Sequence, residues 1–404
     1  MHEMTRVFVI FFMGISISPA LSADPVLVEN GPRPSQTIRN WHIKEEWRAG
    51  PDDQDFVFGF IVDVVCDALG NTYLLDFQQQ ETYVFDPAGK FLYVRGRKGE
   101  GPGETTMSSN LLVGPDRLGL MNRYPLEIVW LDSGGDPAGT TTPVIEGSPE
   151  AILGGWFGRW KHGSLLLGMT RSTFTDEGIT SEQMLVGCSL DGTIDPVYLD
   201  LEDAYLQGSR DDVVDESSYY NPLAGRWDLD ENGRIWIAPE RDRYLLQAVD
   251  ASGQIVLETT REFVSPDRPE PEIRKIRRSI EKRWASSGLP IVVGDHAPCI
   301  ENLWIMEKPW GAEIWIESGA SGHDLPPGVM VRYDLFDLEG IFTHQVDIVG
   351  DGDPLFDRWY LVGDNRLIMV RNASSGGYEE DDPDYPRFDD EVMEVISYRI
   401  LWEE

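Results

Sequence analysis

Along this chain, short apolar runs alternate with compact polar turns, and in only one stretch does the spacing become helical. One turn recurs as Asp-x-x-Gly ahead of an apolar strand. It stands as Asp67-Ala68-Leu69-Gly70 before Thr72 to Leu75, as Asp116 to Gly119 before Leu120 and Met121, and as Asp230 to Gly233 before Ile235, Trp236 and Ile237. Looser versions are Lys161-His162-Gly163, Pro309-Trp310-Gly311 and Asp364-Asn365-Arg366, each before an apolar run. An Asp side chain accepts N–H groups two or more residues on, and Gly supplies a positive φ, so such a unit closes a tight hairpin.

A second turn follows downstream of most of these: Phe85-Asp86 to Gly89, Leu131-Asp132 to Gly134, Leu190-Asp191-Gly192, Val249-Asp250 to Gly253 and Phe336-Asp337 to Gly340. Each pair of turns implies three or four successive antiparallel strands. Units of that length, each of four strands, signal the blades of a propeller. Counting the first turns places six units, near residues 67, 116, 162, 230, 310 and 364. The pattern therefore predicts an all-β, six-bladed β-propeller of four-stranded antiparallel blades, a single domain over residues 24–404. The sixth unit lacks a second turn; its strands are expected over 358–362, 367–371 and 392–402. Its outer strand is expected from the N-terminal segment near residues 41–47, which closes the ring and removes an exposed sheet edge.

One helix is predicted near residues 269–287. Pro269 and Pro271 start it, Asp267 is a candidate cap, and Ser287-Gly288 ends it. Ile273, Ile276, Ile280 and Trp284 make one apolar stripe. The rest of its surface is basic, with Arg274, Lys275, Arg277, Arg278, Lys282 and Arg283. That face reads either as a docking element or lid for an acidic partner, or as a solvated face paired with local acids while the stripe packs on the propeller rim. Residues 378–391 read as a solvated acidic loop.

Residues 1–23 fit an export signal: Arg6, an apolar run over 7–17 too short to span a bilayer, then small residues at Ala20 to Ala23, with cleavage after Ser22 or Ala23. No later segment is apolar enough to cross a membrane, so the remaining chain is expected to be periplasmic or secreted. The formal charge of −36 disfavours nucleic acid and anionic membranes as partners. The three cysteines, Cys66, Cys188 and Cys299, are too few and too scattered for a disulfide framework or a zinc site, and read as buried thiols.

Leu74-Leu75-Asp76, the turn Asp86 to Gly89, and the connector Gly96-Arg97-Lys98-Gly99-Glu100-Gly101-Pro102-Gly103-Glu104 ahead of Leu111 to Val113 resemble the first blade of a bacterial six-bladed propeller family related to NHL-repeat proteins. The resemblance covers residues 58–123 and, less fully, 226–262. It implies the fold and export.

The connector is the most specific candidate site. Its glycines expose N–H groups that, with Arg97 and Lys98, suit an anion; the other reading is an inter-blade connector whose Glu104 bonds to backbone. It lacks the Gly-Lys-Ser/Thr ending of a Walker loop. Asp228, Asp230 and Asn232 have the spacing of a calcium loop, but position twelve is Pro239, which excludes an EF-hand, and the ordinary hairpin turn explains the same residues. Asp351, Asp353 and Asp357 form a looser acidic cluster. The histidines are dispersed, and neither HExxH nor Gly-x-Ser-x-Gly occurs. Asn372-Ala373-Ser374 fits a glycosylation sequon.

No cofactor is assigned from these residues, calcium being the one ion they admit. Three readings follow. The first is an exported, monomeric binding or scaffold module for a small molecule or a protein. The second is a metal-dependent hydrolase or lyase of the lactonase kind, with a divalent ion in the central channel. The third is a surface-complex domain that uses the basic helix as its contact.

Overall fold

The computed structural model describes residues 24–50, 57–145, 151–175, 178–201, 213–284, 288–323, 325–353, 357–363, 365–373 and 393–401. The expected export signal and the acidic stretch 378–391 lie outside them. After β1 (Val26–Asn30) and β2 (Ile38–Ala49), the chain runs through antiparallel meanders. The first holds β3 (Ile61–Cys66), β4 (Thr72–Asp76), β5 (Glu81–Phe85) and β6 (Phe91–Arg95). The second holds β7 (Ser108–Val113), β8 (Arg117–Asn122), β9 (Glu127–Asp132) and β10 (Pro137–Thr141). The third holds β11 (Ile152–Lys161), β12 (Ser164–Thr175), β13 (Gly178–Cys188) and β14 (Ile194–Leu201). Beyond β15 (Val214–Asp215) come β16 (Trp227–Leu229), β17 (Ile235–Ile237), β18 (Leu245–Val249) and β19 (Ile255–Arg261). Helix α1 (Glu270–Trp284) and β20 (Ile291–Val292) precede β21 (Ile300–Lys308), β22 (Gly311–Ser318), β23 (Val329–Phe336) and β24 (Phe342–Val349). The last strands are β25 (Arg358–Val362), β26 (Arg366–Arg371) and β27 (Glu394–Leu401).

Strand β2 runs parallel to β24 through Ile38 to His42, then antiparallel to β27 through His42 to Ala49, and so merges the last two meanders into one eight-stranded sheet. Strand β1 adds a parallel fifth strand outside β19, a pairing the sequence pattern did not anticipate.

The middle strands are buried on both faces, which is why they read as unbroken apolar runs: Ile235, Trp236 and Ile237 are all fully buried. Each sheet packs on the next in chain order. Leu75 meets Leu111 and Leu120; Leu112 and Trp130 meet Leu165 and Leu167; Leu166 and Leu185 meet Trp227 and Ile235. Trp236 and Leu246 meet Ile305 and Phe336, Trp315 and Tyr333 meet Leu367 and Met369, and Ile368 and Val370 meet Leu74 and Phe85. Each large side chain so buried contributes about 1.5–3 kcal/mol relative to exposure. The described residues are thus nearly all β with one α-helix, in the face-to-face layout of a β-propeller. No helix among the described residues is long and apolar enough to cross a membrane.

The Asp-to-Gly turns form as expected at Asp67, Asp86, Asp230, Asp250 and Asp337, where each carboxylate accepts the N–H four residues on and each Gly has φ near +80°. Asp116 to Gly119 is different. The hairpin there is closed by Gly114 N–H donating to the Arg117 carbonyl, and Gly119 lies inside β8. Trp130 packs over Gly119 closely enough to leave no room for a Cβ, so this glycine serves a close approach and not a turn. Asp267 does not cap α1; it pairs with His296 Nδ1 at 2.8 Å. Ile273, Ile276 and Ile280 of the α1 stripe pack with Val214, Ile291 and Val293, around the two-stranded parallel ribbon of β15 and β20.

The first strand of each meander is innermost: β25, β3, β7 and β11 touch in succession, and β16 touches β21. Side chains latch these strands together. Asp63 Oδ1 accepts the N–H of Val64, while Oδ2 accepts the N–H of Leu111 and the Asn110 side-chain amide, both at 2.7 Å. Asn110 Oδ1 in turn accepts the N–H of Gly158 at 2.8 Å. Asp228 repeats the pattern, with Oδ1 taking the N–H of Leu229 and Oδ2 that of Ile305, each at 2.8 Å. Lys161 Nζ lies 3.2 Å and Arg159 Nε 3.4 Å from the same carboxylate. Burial opposes ionisation of Asp228, but Arg159, Lys161 and the two N–H donors outweigh it and hold its pKa below the ordinary value. Removing one member of such a buried set leaves charge uncompensated. Asp228→Ala is expected to lower the unfolding free energy by about 3 kcal/mol or more, read from urea denaturation; a loss under about 1 kcal/mol would show that the latch carries little.

Candidate functional site

Because the inner strands run the same way, their starts gather at one mouth of the central channel. Phe60 and Met107 stand just before β3 and β7, Arg226 just before β16, Glu301 is the second residue of β21, and Arg358 opens β25. On one side of this mouth lies an open cavity of about 490 Å³ lined by Phe60, Phe77, Gln78, Gln80, Lys98, Thr106 and Met107. Gln80 is fixed in place: its amide donates to the Phe77 carbonyl, and its Oε1 accepts from Ser108 N–H and Thr105 Oγ1. The Arg358 guanidinium lies 5.7 Å from the centre of the Phe60 ring.

On the other side, carboxylates dominate. Arg226 Nη2 lies 3.4 Å from Glu301 Oε2, and the Asn302 amide donates to Glu317 Oε2 at 2.8 Å. Glu317 stands directly opposite both Asn302 and Tyr333 in the sheet, so the three side chains share a face. The Tyr333 hydroxyl is fully buried and has no hydrogen-bond partner among the described residues. Glu317 is pushed up to about 7, by burial first and then by the charge of Glu301, against the pull of Asn302 and Arg226. Burial also raises Glu301, yet 37% of its side chain remains exposed.

Helix α1 is tied beside this mouth. Glu272 accepts from or pairs with His323 Nε2 at 2.8 Å and lies 3.2 Å from Arg268 Nε; His323 Nδ1 contacts the Gly319 carbonyl. The Glu272 carboxylate raises the His323 pKa. Arg268 also reaches Glu216, which Arg241 shares. Lys275 sits close enough to Arg358, Glu272 and Asp353 to feel their charges, and its pKa is lowered by burial first and by Arg358 next.

The residues singled out in the sequence fall in separate places. In the connector, Glu104 folds back on its own loop: it accepts the Gly101 N–H at 2.9 Å and pairs with Arg97 at 2.5 Å. Those donors, the Gly101 N–H first, hold its carboxyl below the usual range. A Cβ on Gly99 would collide with that carboxylate. The anion held by this loop is thus its own Glu104, while Lys98 lines the cavity. Asp228 is the inner latch. Asp230 is filled by the N–H groups of Asn232 and Arg234, by Arg234 Nε at 2.7 Å and by Trp236 Nε1. Asp228, Asp230 and Asn232 therefore serve different partners. On α1, Arg274 lies 3.8 Å from Glu270, Arg277 donates to the Ile291 carbonyl, and Arg278 and Lys282 are exposed. Asp357 accepts the N–H groups of Asp353 and Asn372 and is buried, so it organises a turn. The three cysteines are unpaired. Among the described residues, no three His, Cys, Asp or Glu side chains converge as a metal site requires.

Sequence reasoning missed Arg226, Glu301, Asn302, Glu317 and Tyr333. Their only local sign is a carboxylate at the edge of an apolar strand, as in Ile300-Glu301 and Ile316-Glu317.

The titration of Glu317 has a sign that stability measurements can read. Its folded value, about 7, lies above the ordinary 4.5, so the stability it contributes is complete below about pH 4.5 and is lost as pH rises through about 7. Asp63, raised to about 6 chiefly by burial, acts in the same direction at lower pH. Glu317→Gln cannot ionise. Between about pH 5 and pH 8, its unfolding free energy should gain on that of the parent by on the order of 2 kcal/mol, measured by denaturant titration at each pH. A difference independent of pH would contradict the assignment.

No family model matches this sequence, and no curated protein is significantly similar to it. Solved structures similar in fold include a protein of Bacteroides fragilis, at 12% identity and TM-score 0.49, over 93% of this chain and 100% of that one. A second is a DUF4221 family member from Bacteroides vulgatus, at 10% identity and TM-score 0.48, over 89% and 98%. A third is the calcium-binding protein regucalcin from Agrobacterium tumefaciens, at 11% identity and TM-score 0.45, over 90% and 98%. At these identities and TM-scores, none bears on what this chain binds.

Proposed function

We propose that this chain is an exported, monomeric, six-bladed β-propeller that binds a small polar solute at the mouth where its inner strands begin. The six-blade reading is supported by the inter-sheet cores, one between each meander and the next and the last returning to the first. In this reading β2 is the outer strand of the last blade and latches the ring, so that residues 24–404 act as one domain. Export rests on the apolar run and small residues within 1–23.

One observation carries the binding reading. The mouth combines an open cavity of about 490 Å³, within the size range of small-molecule sites, with the partly exposed ion pair of Arg226 and Glu301. A calcium ion is not part of this reading, because Asp228 and Asp230 already hold protein donors. A docking role for Arg277, Arg278 and Lys282 of α1 would be a separate use of an exposed face and is not part of this reading.

Thermal-shift screening of a library sorted into sugars, amines, amino acids and organic acids tests the proposal. At least one class is expected to raise the melting temperature, and the shift should fall by half or more in Met107→Trp, which fills the cavity, or in Glu301→Gln. If no class shifts the parent, or if hits act equally on both variants, the mouth is not a binding site.

A further inference from the structure

We propose that Glu317, Glu301, Asn302 and Tyr333 form a subsite for the ammonium group of a small organic cation. This rests on the reading of the mouth as a solute site and names the chemistry of one part of it.

The first argument is charge. Glu301 lies 3.4 Å from the Arg226 guanidinium and also feels Arg268 and Arg241, whereas Glu317 is in no ion pair among the described residues and feels Arg226 only through space. Glu317 therefore lacks a contacting cation. The second argument is independent of charge. Tyr333 is completely buried and its hydroxyl has no hydrogen-bond partner among the described residues, although it stands directly across the sheet from Glu317 and on the same face. A buried polar group left without a hydrogen bond keeps the full cost of its lost hydration, and such orphans call for a partner. The third argument is donor count. Glu317 receives one side-chain hydrogen bond, from Asn302, so it retains acceptor capacity. An ammonium brings three donors and no acceptor. Placed between Glu317 and the Tyr333 oxygen, which stand opposite each other in the sheet, it can donate to both.

The surroundings select among cations. Trp304, half-buried and two residues along from Asn302, meets the Tyr333 ring edge-on at 5.9 Å, so the walls on this face are aromatic and suit an alkylammonium. A divalent metal would want a third carboxylate or imidazole, and none converges among the described residues. An anion would meet net negative charge.

The test uses the full chain and n-butylammonium as probe, with n-butanol as neutral control and butyrate as opposite-charge control, read by saturation-transfer NMR. Butylammonium is expected to bind with a dissociation constant on the order of 1 mM, and neither control should compete for the site. Glu317→Gln should weaken it by about tenfold. Tyr333→Phe should weaken it by about threefold while leaving the melting temperature unchanged or higher, because the lost hydroxyl has no partner among the described residues to strand. Absence of butylammonium binding, equal binding of butanol, or full binding by Glu317→Gln would overturn the assignment. So would a calcium ion that displaces the probe from the parent but not from Glu317→Gln. If butylammonium fails while another solute class still shifts melting through Met107→Trp-sensitive contacts, this subsite is wrong and the mouth reading stands. If no class binds, both fall.

Discussion

The inner edge of every sheet poses the constraint on which this structure depends. A first strand pairs on one side only, so its other row of N–H and C=O groups faces the axis of the molecule, where a neighbouring sheet arrives at an angle and cannot continue the ladder. Short side chains bridge the gap. Asp63 takes the N–H of Leu111, Asn110 takes that of Gly158, and Asp228 takes that of Ile305. Each side chain belongs to one sheet and satisfies the next. Position matters as much as chemistry, because a residue one place along the strand would point to the opposite face. Where the corresponding places hold Phe157 and Trp304, aromatic packing takes over: Phe157 meets Trp227 edge-on at 5.9 Å.

Aligning the inner strands in this way has a consequence for the mouth. Whatever residue precedes or opens each inner strand is delivered to one small area, regardless of distance in sequence. Arg226 and Glu301 meet there for that reason, and Arg358 lies over Phe60. The chain is strongly acidic overall, and much of its arginine is spent at buried or half-buried pairs such as Arg159 with Asp228, Arg332 with Asp347 and Arg268 with Glu216. At the carboxylates of β21 and β22, Arg226, Arg268 and Arg241 all act on Glu301, while Glu317 contacts no cation among the described residues.

Local turn chemistry was readable in the sequence because it depends on residues within five positions of each other. Asp67, Asp86, Asp230, Asp250 and Asp337 each bind their own turn, as the pattern says. The same pattern misled at Gly119, where the partner that matters is Trp130 on the next strand. Helix α1 was visible from the spacing of Ile273, Ile276 and Ile280, but what it packs on, β15 and β20, consists of two-residue strands with no periodicity to detect. Strand β1 pairs with β19 more than 200 residues away, and no local feature announces that. The candidate site was hidden for the same reason. Glu301 and Glu317 belong to different strands, and a bulge between Ile300 and Asn302 turns Glu301 toward the mouth, which shifts register by an amount that patterning cannot resolve.

Amide hydrogen exchange followed by mass spectrometry at single-residue resolution tests the inner latches most directly. If Asp63, Asn110 and Asp228 hold the sheets together, the N–H groups of Leu111, Gly158 and Ile305 will exchange as slowly as those of the buried central strands, and only through opening of the whole molecule. Exchange at those three amides as fast as at exposed turns would contradict the account.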